Sequence, residues 1–285
     1  MSTLTTTAPA VTISADSRAD AAPDSTFAGI MRGEWIKLLS LRSTWWTLGI
    51  TAALMTLISL AAASSLGAMA DDPVMAAALA DMNGAEVISG GFQIAMLTIA
   101  VLGALFITGE YSTGMIRSTF AAVPTRLPVL AAKAIALVLL TTAVTVVGAV
   151  LAYFVTMPAL AEYDLVPPLD DVATWRVLGG TVYFLIAAAL FSLGIGALLR
   201  STAATVTLAL TVLLVLPGLL GFISLDWVET VVSYLPLPAS SAFLTTGETD
   251  VRGVALSPQE GLLTIAAYAV VPLVAAAVAL RRRDA

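Results

Sequence analysis

Six long apolar runs decide what this chain can fold into. They cover residues 46–67, 87–108, 134–157, 177–199, 202–223 and 262–280. A bilayer core about 30 Å thick requires roughly 20 helical residues, and each run matches that length. Backbone groups inside lipid must bond within their own segment, and the runs lack the polar–apolar alternation of barrel strands. The sequence therefore predicts an all-α integral membrane protein with six transmembrane helices.

The composition agrees with this fold class and removes several chemistries. Hydrophobic residues make up 59% of the chain and charged residues 11%, against about 45–50% and about 25% in soluble domains. Cysteine and histidine are both absent from the sequence. Thiolate nucleophiles, imidazole bases and the commonest zinc ligands are therefore excluded.

Lysine and arginine residues are divided unequally between the two sides that six crossings create. Of the 13 in the chain, Arg176 and Arg252 fall on one side and eleven fall on the side of both termini. The eleven are Arg18, Arg32, Lys37, Arg42, Arg117, Arg126, Lys133, Arg200, Arg281, Arg282 and Arg283. Cytoplasmic segments of membrane proteins carry the excess of lysine and arginine. We therefore expect a multi-pass protein of the cell membrane with both termini in the cytoplasm.

The chain divides into a short tail and one membrane domain. Residues 1–26 are small and polar, without the basic start and apolar middle of a secretory signal. This composition predicts a disordered cytoplasmic tail. Residues 27–285 form the predicted six-span domain.

The sequence contains no pattern that indicates an enzyme. It lacks the G-x-x-x-x-G-K-[ST] loop that cradles nucleotide phosphates. The segment from Gly109 to Gly114 has the wrong spacing for a nucleophile elbow, and no histidine is available as its base. We expect no catalytic, cofactor-binding or metal site in this chain.

The segment before the first apolar run, 27–44, has the pattern of a basic amphipathic helix. Apolar residues recur at helical spacing, and Lys37 and Arg42 lie among them. Such a helix is suited to the membrane surface. A plain surface anchor without further purpose is equally consistent with the pattern.

The segment between the second and third runs, 109–126, predicts a short separate helix. Glu110 is unfavourable at the carboxyl end of a span, where the helix dipole is negative. We expect it in the first turn of the separate helix, or paired with Arg117 or with a cation of a partner. Met115, Ile116 and Phe120 are expected on the apolar face of this helix, which is typical of a docking element.

The six runs contain no charged residue. Glu110, Lys133 and Arg176 lie at or just beyond their ends, where long side chains can reach the membrane interface. A coupled secondary transporter usually needs an ionisable group within the membrane, so the pattern argues against that class. In the long segment 225–260, an interfacial or re-entrant helix and an ordinary loop both remain open.

Two segments resemble the permease subunits of ABC-2-type exporters, in the form abundant in actinobacteria. They are GEWIKLLSLRSTWW before the first run and GEYSTGMIRSTFAAVPTRLPVLAAK after the second. The resemblance implies that the first segment is an elbow helix, with Glu34, Trp35, Lys37 and Arg42. It also implies that the second contains a coupling helix that docks on a separate cytoplasmic ATPase.

The resemblance implies the partners as well. Two permeases, identical or different, would assemble with two ATPases, which would bind ATP and magnesium, and no nucleic acid is involved. Glu110, Tyr111, Arg117 and Arg126 are the residues expected at the ATPase contact. The cargo would be an amphipathic or hydrophobic molecule exported from the cytoplasm. An ATP-independent channel or secondary transporter, or a membrane scaffold, is the alternative.

Overall fold

Every element in the part of the chain that the structure describes is helical. The structure is a computed structural model that describes residues 26–80, 82–246 and 256–282. The first seven helices are α1 (Phe27–Ser40), α2 (Arg42–Ser64), α3 (Leu66–Ala70), α4 (Pro73–Ala80), α5 (Gly84–Ser89), α6 (Phe92–Thr113) and α7 (Met115–Ala122). The others are α8 (Leu127–Glu162), α9 (Val172–Leu199), α10 (Thr202–Leu210), α11 (Leu216–Leu220), α12 (Asp226–Ser233), α13 (Pro236–Leu244) and α14 (Pro258–Arg282).

Six helical segments of this described part are long and apolar enough to cross a membrane, as the sequence predicts. Spans one to six are Arg42–Ala70, Gly84–Thr113, Leu127–Glu162, Val172–Leu199, Thr202–Leu220 and Pro258–Arg282. Except for span five, which ends before residue 223, they reach beyond the predicted apolar runs. Span three has 36 residues and is about 54 Å long, well beyond the hydrocarbon core. The helix ends therefore carry polar residues that the apolar runs exclude.

Spans two and four form the centre of the bundle. In their most apolar stretches, 56% and 61% of the residues are buried, against 22% in spans one, five and six. A Cβ atom at Gly103 would collide with the carbonyl oxygen of Ala189. Small residues allow such close approach of membrane helices. The three less buried spans leave most of their apolar side chains for lipid or for another subunit.

Span five departs from a regular α-helix in its middle. Residues Thr211–Val215 form a π-helical segment between α10 and α11, in which the N–H of Leu216 donates to the carbonyl of Thr211. Pro217 follows and has no N–H to continue the regular ladder. The sequence already indicates a loosened helix at Pro217-Gly218.

The two ends of the bundle differ in charge. One end, which we call the basic end, carries α1, α7, the turn Arg200–Ser201 between α9 and α10, and the last residues of α14. The described basic residues here are Arg32, Lys37, Arg42, Arg117, Arg126, Lys133, Arg200, Arg281 and Arg282. Arg176 is the described basic residue of the opposite end. The grouping agrees with the division predicted from the sequence.

The long segment between spans five and six is helical where the structure describes it. It contains α12 and α13, and α13 packs against α9 and α14. A Cβ atom at Gly180 would lie 2.7 Å from the Phe243 ring, and one at Gly261 would lie 2.6 Å from the Ala239 carbonyl oxygen. Residues 226–244 of this segment are therefore not an open loop. Residues 1–25 of the predicted tail lie outside the described residues, so that prediction stays untested.

Candidate functional site

Helix α1 packs on the bundle with one face. The Thr26 hydroxyl accepts a hydrogen bond from the Gly29 N–H at the start of the helix, as expected of an N-cap threonine. Glu34 and Leu38 are buried, and Trp35 packs beside the core. The predicted helical segment 27–44 is not one helix, because α1 ends at Ser40 and span one begins at Arg42.

Helix α7 is the short helix predicted between spans two and three, but it begins later than expected. Gly114 separates it from α6 and has a φ of 74°, a left-handed conformation that glycine adopts readily. Ile116 and Phe120 are buried, as the pattern predicts. The pattern places Met115 on the same face, but it is exposed, because it precedes Ile116 by one residue and so lies about 100° away around the helix. Met115 and Arg117 are exposed, so α7 presents an outer face to solvent or to a partner.

Lys133 lies at the centre of a buried group of charges. Its side chain is 0% exposed, and its Nζ atom lies 2.6 Å from Glu34 Oε2 and 2.7 Å from Glu110 Oε1. Nζ also donates to the Phe106 carbonyl oxygen at 3.4 Å and lies 4.3 Å from the centre of the Phe106 ring. These contacts join α1 and span two to the first turns of span three.

Lys37 completes this group from its solvent side. Its Nζ atom lies 2.7 Å from Glu34 Oε1 and 3.0 Å from Glu110 Oε1, and it donates to the Thr119 hydroxyl of α7 at 3.1 Å. We call Glu34, Lys37, Glu110 and Lys133 the charged cluster. Together with Thr119 it holds α1, α6, α7 and α8 to one another.

The charged cluster is neutral as a whole, with two carboxylates and two ammonium groups. Burial of an unpaired charge is very costly, and paired burial is tolerated only with good geometry and further hydrogen bonds. Glu110 shares one oxygen between two lysines, while its Oε2 atom is buried without a hydrogen-bond partner among the described residues. The arrangement therefore depends on all four charges being present.

The positions of Glu110 and Lys133 correct two expectations from the sequence. Glu110 lies in the last turn of α6 rather than in the first turn of α7, and it pairs with lysines of its own chain rather than with Arg117. Lys133 does not extend towards the membrane interface. The physical reason is the same for both: they pair with each other, and each also pairs with a charge of α1, which is distant in sequence.

The carboxylates also act on Lys37, which lies outside the spans. Burial by itself would lower the pKa of Lys37. The hydrogen bonds and negative charges of Glu34 and Glu110 outweigh this effect and raise the pKa above its ordinary value of 10.5. Lys37 is therefore positively charged at every physiological pH.

Two of the other residues predicted at an ATPase contact, Tyr111 and Arg117, line a groove beside the charged cluster. The groove has a volume of about 530 Å³, and Tyr111 and Arg117 are among its lining residues, together with Arg200. Arg126 lies elsewhere at the basic end, where its guanidinium donates to the Leu280 carbonyl oxygen at 3.2 Å and lies 5.5 Å from the Phe120 ring centre. Glu110 is buried behind this surface, so it is placed to support α7 rather than to touch a partner.

Sequence reasoning missed Thr119 and Arg200 and assigned Lys133 to the membrane interface. The i, i+3 spacing of Glu34 and Lys37 is a visible signal of a helical ion pair. A second visible signal is a glutamate at the end of one span, Glu110, followed by a lysine near the start of the next, Lys133. Neither signal shows that the four charges meet.

The charged cluster consists of paired charges, with no metal-ligating group beside it among the described residues. Its carboxylates are neutralised by lysines, and no group of three or more potential metal-ligating side chains occurs in the part of the chain that was described. Comparison with known proteins adds no assignment, because no family model and no curated protein matches the chain.

Proposed function

We propose that this chain is the membrane-spanning permease subunit of an ABC-2-type exporter. A separate cytoplasmic ATPase would dock at α7 and α1, which would act as coupling helix and elbow helix. The protein would lie in the cell membrane, and its basic end would face the cytoplasm, in accordance with the positive-inside rule. ATP and magnesium would be bound by that ATPase and not by this chain.

The charged cluster is the observation that carries this proposal. The outer face of α7 is exposed, while Thr119 of α7 is tied to α1 through the bond from Lys37. Helix α1 is in turn tied to α6 and α8 through the ion pairs of Lys37 and Lys133. A displacement of α7 by a docked ATPase would therefore be transmitted to spans two and three. Arg117 would contact the ATPase directly, and Glu110 would hold α7 in place.

The exported molecule would be amphipathic or hydrophobic, and the pathway would lie between two permease copies or between this chain and a second permease. Spans one, five and six are the least buried and have the surface available for such pairing. Stimulation of ATP hydrolysis by candidate cargoes, with the chain and its ATPase reconstituted together, would identify the cargo class.

Cross-linking from single cysteines tests the docking site. The chain contains no cysteine, so Ser118→Cys on the exposed face of α7 introduces one reactive thiol. Its matched control is Ser224→Cys, exposed at the opposite end. We expect Ser118→Cys to be cross-linked to a P-loop ATPase without membrane spans. Removal of that ATPase should abolish transport. Capture of that ATPase by Ser224→Cys, or transport that survives its removal, would contradict the proposal and favour a channel or secondary transporter.

The same two variants test the orientation. A membrane-impermeant maleimide applied to intact cells is expected to label Ser224→Cys and to leave Ser118→Cys unlabelled until the membrane is opened. The reverse pattern would place α7 outside the cell, where no ATP-driven partner can reach it.

A further inference from the structure

The groove at the basic end has the composition of an anion site. Its polar lining consists of two arginines, Arg117 and Arg200, and three hydroxyl residues, Tyr111, Ser112 and Thr113. No carboxylate lines it within the described residues. Its volume of about 530 Å³ is in the usual range of small-molecule sites. The groove is therefore large enough for a charged headgroup.

Two donors in the groove, on Arg200 and Tyr111, are not used by the described part of the chain, whereas the Ser112 and Thr113 hydroxyls donate to the Gly109 carbonyl oxygen. The guanidinium of Arg200 lies 5.2 Å from the Tyr111 ring centre. The Nε atom of Arg200 and the Tyr111 hydroxyl are shielded from solvent and have no hydrogen-bond partner among the described residues. Across the same described ranges, neither Arg117 nor Arg200 takes part in an ion pair. Shielded donors of this kind indicate a missing acceptor.

The position of Arg200 indicates where that acceptor comes from. Arg200 and Ser201 are the whole connection between spans four and five. Span four ends and span five begins at this turn, so in a membrane the Arg200 backbone would lie near the surface, where lipid phosphates are found. Exposed Leu199 and Leu208 lie on either side of this turn in the sequence, and they offer apolar surface to acyl chains. Two unpaired arginines favour a negatively charged headgroup at this level.

We propose that the groove binds the headgroup phosphate of an anionic phospholipid from the leaflet at the basic end. Arg117 and Arg200 would donate to the phosphate oxygens, which match the planar fork of a guanidinium. The Tyr111 hydroxyl would donate a further hydrogen bond. A zwitterionic lipid would bind less well, because its choline cation would approach the same two arginines.

Such a lipid would add a connection that the charged cluster lacks. The charged cluster joins α1, α6, α7 and α8, whereas the groove joins α6 and α7 to the turn between α9 and α10. An occupied groove would therefore link α7 to spans four and five. The inference does not depend on the ATPase, because only the membrane and the groove take part.

Native mass spectrometry of the full chain in detergent tests this site. The protein is mixed with equal amounts of dioleoyl phosphatidylglycerol and dioleoyl phosphatidylcholine, with inorganic phosphate as a competitor. We expect one phosphatidylglycerol to be retained in preference, and Arg200→Gln and Arg117→Gln each to reduce its binding about tenfold. Tyr111→Phe should weaken it about threefold, because one hydroxyl is lost.

Arg42→Gln is the matched control, because Arg42 is exposed at the start of span one and lies outside the groove. An equal loss with Arg42→Gln, equal binding of both lipids, or unchanged binding by Arg200→Gln would overturn the proposal. Displacement of the lipid by inorganic phosphate at similar concentrations would show a free-anion site instead.

If Arg200→Gln does not purify as a single species, Arg200→Lys, which keeps the charge and loses the fork, should retain part of the preference. Loss of ATPase co-purification in Arg200→Gln with lipid preference intact would assign the groove to a partner's carboxylate.

Discussion

The two ends of the bundle hold their helices together by different means. At the basic end, four ion pairs within the charged cluster join α1, α6 and α8. At the opposite end, apolar side chains pack together, and hydrogen bonds of helix caps and connecting segments add polar contacts. There Asn83 accepts from the Ala85 N–H at 2.9 Å as the cap of α5, and Asp171 accepts from the Ala173 N–H at 3.0 Å as the cap of α9.

These caps also join the three connections of the opposite end. The Asn83 side-chain amide donates to Asp171 and to the Thr174 hydroxyl, both at 3.2 Å. The Thr246 N–H donates to Glu86 at 2.8 Å. We call Asn83, Glu86, Asp171, Thr174 and Thr246 the cap cluster. Apart from buried Thr174, its members are half-buried, whereas the charged cluster contains a lysine with no exposed surface.

The difference concerns the cost of breaking each connection. Removing one partner of a buried ion pair strands a charge, which costs about 3–5 kcal/mol. Removing a capping side chain costs about 0.5–2 kcal/mol, because water can replace the lost partner. The basic end is therefore expected to be more sensitive to the loss of a single side chain. Under the proposed function, that end is the one on which the ATPase acts.

The largest effect is expected from Lys133→Met. It leaves Glu34 and Glu110 with Lys37 alone, so one negative charge stays buried without a partner. We expect the free energy of unfolding to fall by about 3–5 kcal/mol. Denaturant titration in detergent micelles, followed by tryptophan fluorescence, measures this. A loss below 1 kcal/mol would mean that breaking a connection costs no more at the basic end than at the opposite end.

The double variant Lys133→Met with Glu110→Gln sharpens the comparison by rebalancing the charges. It leaves Glu34 paired with Lys37. We expect the double variant to lose about 1–3 kcal/mol less unfolding free energy than the sum of the losses of the two single variants, because neighbours in one network couple. The same titration on all four proteins of the cycle measures this energy. Strict additivity would show that the ion pair contributes nothing specific.

Lys37→Met should destabilise the protein less than Lys133→Met. The Lys37 side chain is 30% exposed, so solvent screens part of its interaction, and Lys133 still pairs with both carboxylates. We expect about 1–2 kcal/mol. Because the bond to Thr119 is also lost, hydrogen exchange in α7 should increase. Unchanged exchange there would contradict the role of the charged cluster in holding α7.

Asn83→Ala tests the opposite end. It removes the cap of α5 and the two bonds to Asp171 and Thr174. We expect a loss of about 1 kcal/mol, since the site is half-buried and water can enter. Thermal unfolding beside Lys133→Met provides the comparison. A loss as large as that of Lys133→Met would erase the distinction between the two ends.

The smallest effect concerns pH. Because the pKa of Lys37 is raised in the folded protein, its contribution to stability is fully present below the ordinary value of 10.5 and is lost as pH rises through the folded value. The difference in unfolding free energy between the wild type and Lys37→Met should therefore stay constant from about pH 6 to about pH 9. A marked decrease within that range would show that Lys37 is not held as an ammonium group.

Much of the fold follows from local pattern, and the site follows only in part. Periodicity predicts α7 and the burial of Ile116 and Phe120, and the structure has both. The pattern places Glu110 in the wrong helix because only the left-handed Gly114 separates α6 from α7. Lys133 looks like an interface lysine because its partner Glu34 is 99 residues away in the sequence.

The sequence by itself determined the six spans and the unequal distribution of basic residues between the two ends. Both properties are sums over neighbouring residues, since the hydrophobic effect and the length of a helix are additive along the chain. The tertiary structure alone decided that Glu34, Lys37, Glu110 and Lys133 meet, and that Arg117 and Arg200 share one groove. These depend on how separate helices pack, because a buried charge is stable only where a distant segment supplies its partner.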